Sequence, residues 1–239
     1  MKLRVKYTKT GAVRFIGHLD VMRHFQKAIR RAKLDIAYTQ GFSPHQILSF
    51  AAPMPLGMTS EGEYFDAEFV SAPDFVDMMK RLNDTMPPEI QVTEICELPE
   101  KAKAAMAAVS SSDYVIYRHE EAEEDVTSKL ALYCKALMEQ PEILVTKKTK
   151  SKEELSNIRP LIYNLAPYDK ALHGDNRVGT ENGIYMHLAT GSVDNLKPEL
   201  VIFALCEKAG VPYNRYDYMV HRLETYMEDP EDKRSLTTF

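Results

Sequence analysis

Basic and imidazole side chains are concentrated near the N-terminus of this chain, and their types predict recognition of an anion. Ten Lys or Arg against two Asp give residues 1–50 a formal charge of +8, whereas the rest of the chain carries −13 of a total of −5. A basic patch on an acidic body can bind phosphate or RNA although the whole molecule does not attract polyanions. The candidate binding residues are Arg14, His18, Arg23, Lys27, Arg31, Ser43, His45 and Arg159.

Three residues of this set recur at helical spacing and, together with Arg30, are predicted to form a basic stripe on one helix. The residues of the stripe are Arg23, Lys27, Arg30 and Arg31. Such a stripe can follow a phosphate backbone, and arginine adds planar bidentate contacts. Phe42, Tyr38 or Tyr7 could stack unpaired bases beside it. The alternative interpretation is an ordinary solvated helix face.

His18 and His45 are the candidates for proton transfer or metal binding. His18 is predicted at the start of the first helix, where free backbone amides attract anions. His45 ends a loop that Gly41 and Pro44 make rigid, which favours an aimed side chain. A metal site formed by the two histidines with Glu61 or Glu63 stays open as an alternative. The other interpretation of His18 is a polar residue that closes a strand-to-helix turn.

Hydrophobic periodicity predicts the elements that position these residues. The first half reads as strand, helix, two strands, helix and strand, which is the split βαβ or ferredoxin-like plan. The predicted elements are a strand at 2–9 that forms a hairpin with 13–16, a helix at 18–33, strands at 36–39, 46–51 and 58–70, a helix that starts at Pro73, and a strand at 90–96.

The second half repeats this order with little residue identity. Its predicted elements are a strand at 114–118, a helix capped by Asp125, a hairpin of 143–149 with 155–165, a strand at 183–190, a helix from Pro198 to Gly210 and a last strand at 215–223. We therefore expect an α+β protein with two tandem ferredoxin-like (βαββαβ) domains and antiparallel sheets. The expected boundaries are 1–100, a linker at 101–112, and 113–239 with a frayed polar tail from Glu228.

Composition excludes several classes of protein. No run of about 18 apolar residues occurs and the start does not read as a signal peptide, so we expect a cytoplasmic protein without a membrane contact. The three cysteines, Cys96, Cys134 and Cys206, are far apart, which predicts reduced thiols without a disulfide. No Walker loop, dinucleotide-binding glycine pattern or Ser/His/Asp order is present. We therefore expect no cofactor and no resident metal, and assign no catalytic residue; enzymatic activity stays open.

Several motifs of the N-terminal half are specific in combination. They are Arg14-Phe15, Gly17-His18-Leu19-Asp20, Gln40-Gly41-Phe42-Ser43-Pro44-His45, Leu48-Ser49-Phe50, Pro55-Leu56-Gly57 and Ser60-Glu61-Gly62-Glu63-Tyr64. Together they resemble the bacterial radical-SAM-linked family, a domain of unknown function that is found alone or fused behind a radical SAM module. The resemblance continues more weakly through Ile158-Arg159-Pro160-Leu161-Ile162.

This resemblance implies a radical SAM protein as a partner. The chain has no CxxxCxxC motif to ligate an iron–sulfur cluster, so it would serve such chemistry in trans. The first expected function is a non-catalytic accessory protein that holds an RNA or another anionic substrate for that partner. The alternatives are a metal-independent endoribonuclease that uses His18 or His45, and a structural subunit whose basic helix docks on an acidic protein.

Overall fold

The protein is a mixed α+β molecule that divides into two compact units. The computed structural model describes residues 1–119, 126–148, 153–173, 182–228, 230 and 232–238. Unit 1 is Met1–Ser110 with Glu224–Phe239, and unit 2 is Ser111–Leu223. The boundary between residues 110 and 111 falls inside the linker expected at 101–112, whereas residues 224–239, expected in the second domain, belong to unit 1. Both boundaries fall inside continuous strands, because Val109–Arg118 and Tyr218–Met227 each run from one unit into the other.

Unit 1 contains an antiparallel sheet with two longer helices. Its elements are β1 (Lys2–Lys9), α1 (His18–Arg31), β2 (Asp35–Ile36), β3 (Leu48–Phe50), β4 (Thr59–Ser71), α2 (Phe75–Asn83), β5 (Val92–Glu97), α3 (Ala105–Ala108), the start of β6 (Val109–Arg118), the end of β11 (Tyr218–Met227) and β12 (Arg234–Ser235). The strand order is β5-β1-β4-β11, β2 and β3 also pair with β4, and β12 pairs with β11. The long strand β4 therefore organises the unit.

Unit 2 contains the remaining elements. They are the rest of β6, α4 (Val126–Ala131), α5 (Cys134–Met138), β7 (Leu144–Lys148), β8 (Glu153–Asn157), β9 (Ile162–Pro167), α6 (Lys170–His173), β10 (Ile184–Ala189), α7 (Pro198–Ala209) and the rest of β11. The strand order is β11-β6-β10-β9, and β7 and β8 form a separate hairpin. Asp125 and the hairpin turn at 149–152 lie outside the described residues. Helix α7 ends as predicted, because Gly210 adopts a left-handed φ of 63°.

The helix predicted from the amphipathic pattern at 18–33 is present as α1 (His18–Arg31). Its apolar side, with Val21, Phe25, Ala28 and Ile29, is buried in the core of unit 1. Phe25 lies at the centre of an aromatic cluster: its ring centroid is 4.8 Å from those of Tyr7 and Phe65. Burial of this side fixes which face of α1 is exposed.

The predicted hairpin strand at 13–16 is wrong. Gly11–Phe15 form a short 3₁₀ helix instead. Strand β1 already pairs with β4 on one side and with β5 on the other, so no edge is free for a third strand. Gly11, with φ 54°, allows the chain to leave β1 in a turn.

Other boundaries are confirmed in part. The strands predicted at 36–39 and 46–51 are reduced to β2, β3 and an isolated bridge between Tyr38 and Gln46. The second helix starts after Pro73, because Asp74 is its N-cap and accepts a hydrogen bond from the backbone N–H of Val76 at 3.0 Å. The strand predicted at 215–223 is β11 (Tyr218–Met227), which starts later than predicted because Arg215–Asp217 form a 3₁₀ turn.

In the described part of the tail, residues 230 and 232–238, the predicted fraying is wrong for the segment 234–236. Arg234 and Ser235 pair with β11, and Leu236 is fully buried. Leu236 packs in a cluster with Ala51, Tyr64 and other apolar residues of unit 1. One apolar side chain in a polar segment therefore holds the tail to the unit.

Two further expectations concern the cysteines and the membrane. Cys134 and Cys206 are buried, Cys96 is half-buried, and all three are free thiols. Burial raises the pKa of Cys96 to about 11 and that of Cys134 to about 12, so both thiols stay protonated at neutral pH.

In the described part of the chain, no helix has the length and apolar character needed to cross a membrane.

Candidate functional site

Helix α1 carries the predicted basic residues on its solvent side. We call Arg23, Lys27, Arg30 and Arg31 the α1 stripe; all four are exposed. Arg23 forms a surface ion pair with Asp20, with 3.3 Å between Nη1 and Oδ1. No described carboxylate lies within ion-pair distance of the other three. The stripe therefore has three cationic side chains available to an external anion.

His24 borders this stripe and responds to its charge. Partial burial, then Arg31, then Lys27 lower the pKa of its imidazole. Its Nε2 atom is buried and has no hydrogen-bond partner among the described residues. The imidazole is therefore neutral at neutral pH, and an anion bound on the stripe would favour its protonated form.

His18 is the first residue of α1, as predicted. Its ring packs edge-on against Phe50, with centroids 5.2 Å apart. Burial and the neighbouring Lys9 charge lower the pKa of His18, so the imidazole is neutral at pH 7. Gly17 is the N-cap and no side chain caps the helix, which leaves the positive helix end open.

Lys9 is a buried cation beside His18 that the sequence analysis did not single out. It is 4% exposed, and its Nζ donates a hydrogen bond to the carbonyl oxygen of Ile16 at 3.0 Å. Burial lowers the pKa of this amine, and Glu63 partly offsets that effect. The alternating pattern of β1 could have predicted that Lys9 is buried, because Lys9 follows the buried Leu3, Val5 and Tyr7 at intervals of two residues.

The Ser60-Glu61-Gly62-Glu63 motif is largely inside the protein. For these carboxylates the sequence predicts solvation or an ion pair; Glu63 is 4% exposed, so it is not solvated, and its charge acts on the nearby Lys9. Gly62 allows a close strand contact: a Cβ atom there would lie 2.6 Å from the Cα of Glu224 in β11. The hydroxyl of Thr225 donates to the Gly62 carbonyl oxygen at 2.8 Å. The glycine is therefore explained by β-sheet packing.

The loop that carries His45 is closed by its own hydrogen bonds. The His45 Nδ1 lies 3.1 Å from the Thr39 hydroxyl, and the Thr39 N–H donates to the His45 carbonyl oxygen at 2.9 Å. Gln46 donates from Nε2 to the Gln26 carbonyl oxygen at 3.3 Å, which anchors the loop to α1. Ser43 is exposed in this loop. The loop is thus ordered against the helix that bears the stripe.

The proposed base-stacking residues differ in exposure. Phe42 is fully exposed and Tyr38 is 45% exposed. Tyr7 is 4% exposed inside the aromatic cluster, so it cannot stack on a base. Phe42 and Tyr38 belong to the loop region that Gln46 anchors to α1.

The two histidines do not meet. The described contacts of His18 involve Phe50 and Lys9, whereas those of His45 involve Thr39 and Ser43. Among the described residues, no group of three or more His, Cys, Asp or Glu could hold a metal ion. The nuclease alternative would therefore have to use each histidine separately.

Arg14 and Arg159 complete the predicted set. The Arg14 guanidinium carbon lies 4.8 Å from the centroid of the exposed Phe15 ring, and its buried Nε has no partner in the described chain. Arg159, in unit 2, donates from Nε to the Met138 carbonyl oxygen at 3.0 Å and from Nη1 to that of Ile162 at 3.2 Å. These bonds hold its own unit together, and its binding role stays a prediction.

Comparison with known proteins identifies the family. Residues 2–198 match the family described as "Uncharacterized protein conserved in bacteria (DUF2344)". The chain belongs to this family. All eight candidate binding residues of this family member lie within the matched region, whereas the tail with β12 lies outside it. No curated protein matches the sequence.

One solved structure is similar to this family member at a low level. It is an X-ray crystal structure of a heavy metal efflux pump, with 9% sequence identity and a TM-score of 0.21. The alignment covers 97% of this chain and 28% of the pump chain. A likeness at this level supports no statement about fold or function.

Proposed function

We propose that this protein is a non-catalytic accessory protein that holds RNA along the α1 stripe for a separate radical SAM enzyme. The observation that carries the proposal is the exposed stripe itself, in which Lys27, Arg30 and Arg31 have no described carboxylate partner. Phosphate contacts of this kind supply most of the affinity of nonspecific nucleic-acid binding.

The surroundings of the stripe support a single-stranded ligand. The exposed Phe42 and Tyr38 lie in a loop region that is anchored to α1 through Gln46 and Gln26. Exposed aromatic rings near a cationic groove stack unpaired bases with little sequence preference. Burial is the largest cause of the lowered pKa of His24, and the charges of Arg31 and Lys27 lower this pKa further, so His24 lies close enough to the stripe to respond to its charge.

The proposal of a radical SAM partner rests on the sequence motifs. The three cysteines are free thiols, and Cys134 and Cys206 are buried. Because the chain also lacks a CxxxCxxC motif, cluster chemistry would have to come from another polypeptide. The role of this chain in such a pair is to bind and present the substrate.

We also propose that each unit is a ferredoxin-like domain. In the split βαβ plan, a third strand lies between the two strands that flank the crossover helix. In unit 1, β4 lies between β1 and the pair β2 and β3, and in unit 2, β10 lies between β6 and β9. Unit 1 follows the βαββαβ order when the short strands β2 and β3 are counted as one strand, and unit 2 follows it when the β7–β8 hairpin and α6 are treated as insertions and α4 and α5 as one helix.

Charge reversal on the stripe is the direct test. The double variant Lys27→Glu/Arg31→Glu is expected to bind single-stranded RNA at least tenfold more weakly at about 0.1 M salt, because two phosphate contacts become repulsive. The slope of log Kobs against the logarithm of the salt concentration should be less steep by about 1.4, because each lost phosphate contact removes about 0.7 from it. Fluorescence anisotropy with a labelled single-stranded RNA measures both quantities.

The matched control is Lys129→Glu/Lys135→Glu, which reverses two exposed charges of unit 2. It should keep the affinity and the salt slope of the unchanged protein. Absence of RNA binding even at low salt would rule out the proposed function. Cleavage of the RNA in EDTA that is lost in His18→Ala would favour the nuclease alternative instead.

A second test uses His24 as a reporter. Bound RNA adds negative charge near its imidazole, so the pKa of His24 is expected to rise when RNA binds. By linkage, RNA affinity should then increase as the pH falls through the raised pKa of the bound state toward the lower pKa of the free protein. NMR titration of the His24 ring signals with and without RNA measures the shift. An unchanged His24 titration in an RNA complex would place the RNA away from the stripe.

A further inference from the structure

Unit 1 contains a small cavity that shares no residue with the α1 stripe. Its volume is about 200 Å³. The charged residues that line it are Arg4, Lys101, Lys103, Arg234 and Glu228. Small or apolar side chains form the rest of the wall, together with the hydroxyl-bearing Thr238.

Arg4 holds two walls of this cavity together. It is fully buried and donates from Nη2 to the Lys103 carbonyl oxygen at 2.8 Å and from Nη1 to the Leu236 carbonyl oxygen at 3.0 Å. Its Nε and Nη2 also donate to the two carboxylate oxygens of Asp66, at 2.7 and 3.0 Å. The guanidinium is thus neutralised and committed to structure. The cavity is pre-formed, which reduces the ordering that a ligand must impose.

The remaining charges leave a positive excess. Lys101 and Lys103 have no described carboxylate within ion-pair distance. Arg234 pairs with Glu228, with 3.2 Å between Nη1 and Oε2, and both side chains are about half exposed. Among the described residues that line the cavity, there are therefore three cationic residues besides Arg4, namely Lys101, Lys103 and Arg234, and one carboxylate, that of Glu228. An anion would pair with both lysines and could share Arg234 with Glu228.

We propose that this cavity binds the phosphate group of a small phosphate monoester. The cavity is smaller than the roughly 300–1,000 Å³ typical of sites for drug-sized ligands, so it fits a compact anion. A dianionic phosphate matches the positive excess better than a single carboxylate. Its oxygens accept from two ammonium groups and from the arginine fork. The Thr238 hydroxyl lies 3.1 Å from that of Ser235 and is free to donate to the phosphate when Ser235 is the donor of that pair. This site is independent of RNA binding on α1.

Calorimetric titration of the full chain tests the proposal. Inorganic phosphate and glycerol 3-phosphate should each bind saturably with a stoichiometry near one, and succinate at matched ionic strength should bind at least tenfold more weakly. Equal binding of succinate would overturn the assignment to phosphate. Failure of both phosphate compounds to bind saturably would overturn the site.

Variants locate the binding. Lys101→Met/Lys103→Met is expected to weaken phosphate at least tenfold, because two charge-assisted hydrogen bonds are lost. The control Lys129→Met/Lys135→Met removes two exposed charges of unit 2 and should leave phosphate affinity unchanged. Circular dichroism and thermal melting check that both variants are folded. Unchanged affinity in Lys101→Met/Lys103→Met overturns the proposal. RNA affinity of the same variant should be unchanged, which separates this site from the α1 stripe.

Discussion

Replacement of Arg4 with methionine is expected to lower the free energy of unfolding of unit 1 by about 3–5 kcal/mol. Arg4 is fully buried and forms a bidentate pair with Asp66. Methionine fills part of the volume but leaves the Asp66 carboxylate without its cation. The carbonyl oxygens of Lys103 and Leu236 lose a donor as well. Urea denaturation, followed by circular dichroism, measures the change.

Lys2→Met is the matched control for Arg4→Met. Lys2 is in the same strand, and its partner Glu68 is in β4, just as Asp66 is. The Lys2–Glu68 pair is largely exposed, with 63% and 38% of the side-chain surface accessible. Its loss should change the free energy of unfolding by less than about 1 kcal/mol. Similar values for the two variants would contradict the structural role given to Arg4.

Phe25→Ala is expected to lower the free energy of unfolding by about 3–5 kcal/mol. The ring is fully buried, and its centroid lies 4.8 Å from those of Tyr7 and Phe65 and 6.0 Å from that of Phe50. Truncation removes transfer free energy and leaves a cavity among three rings that cannot close without moving β1 or β4. The same urea denaturation measures the effect.

Phe42→Ala provides the control for Phe25→Ala with the same chemical change. Phe42 is fully exposed, so its truncation should alter stability by no more than about 0.5 kcal/mol. If Phe25→Ala does not fold, Phe25→Leu can be measured instead. Leucine keeps most of the buried volume, so the free energy of unfolding should fall by a smaller amount. A Phe25→Leu or Phe25→Ala value as small as that of Phe42→Ala would contradict the described core.

The α1 stripe shows how much of the candidate site is predictable from sequence. The positions of Arg23, Lys27 and Arg31 follow from a period of 3.6 residues, and the apolar residues between them determine which face is buried. The C-terminal part of strand β4 was predictable from a period of two residues, because Phe65, Ala67 and Phe69 are more buried than Asp66 and Glu68 between them. Both patterns are local, so no distant partner is needed to interpret them.

The loop that ends at His45 was predictable in part. Gly41 has φ 117°, as a turn glycine should, and the loop is closed by local hydrogen bonds. Its attachment to α1 through Gln46 was not visible, because Gln26 lies 20 positions away. Phe42 and Tyr7 are both aromatic, and only their tertiary surroundings separate the exposed ring from the buried one.

Strand β1 marks the limit of what sequence alone determined. Its alternation predicted a strand, and the amphipathic pattern predicted α1 and its exposed basic face, because these depend on neighbours within a few residues. Only the tertiary structure decided that Arg4 and Lys9 are buried and that Leu236 anchors the tail. It also decided that β11 packs closely against Gly62. Arg4 contacts Asp66 and Leu236, which lie 62 and 232 positions further along the chain. Burial of a charge depends on which distant groups cover it, and local periodicity carries no information about them.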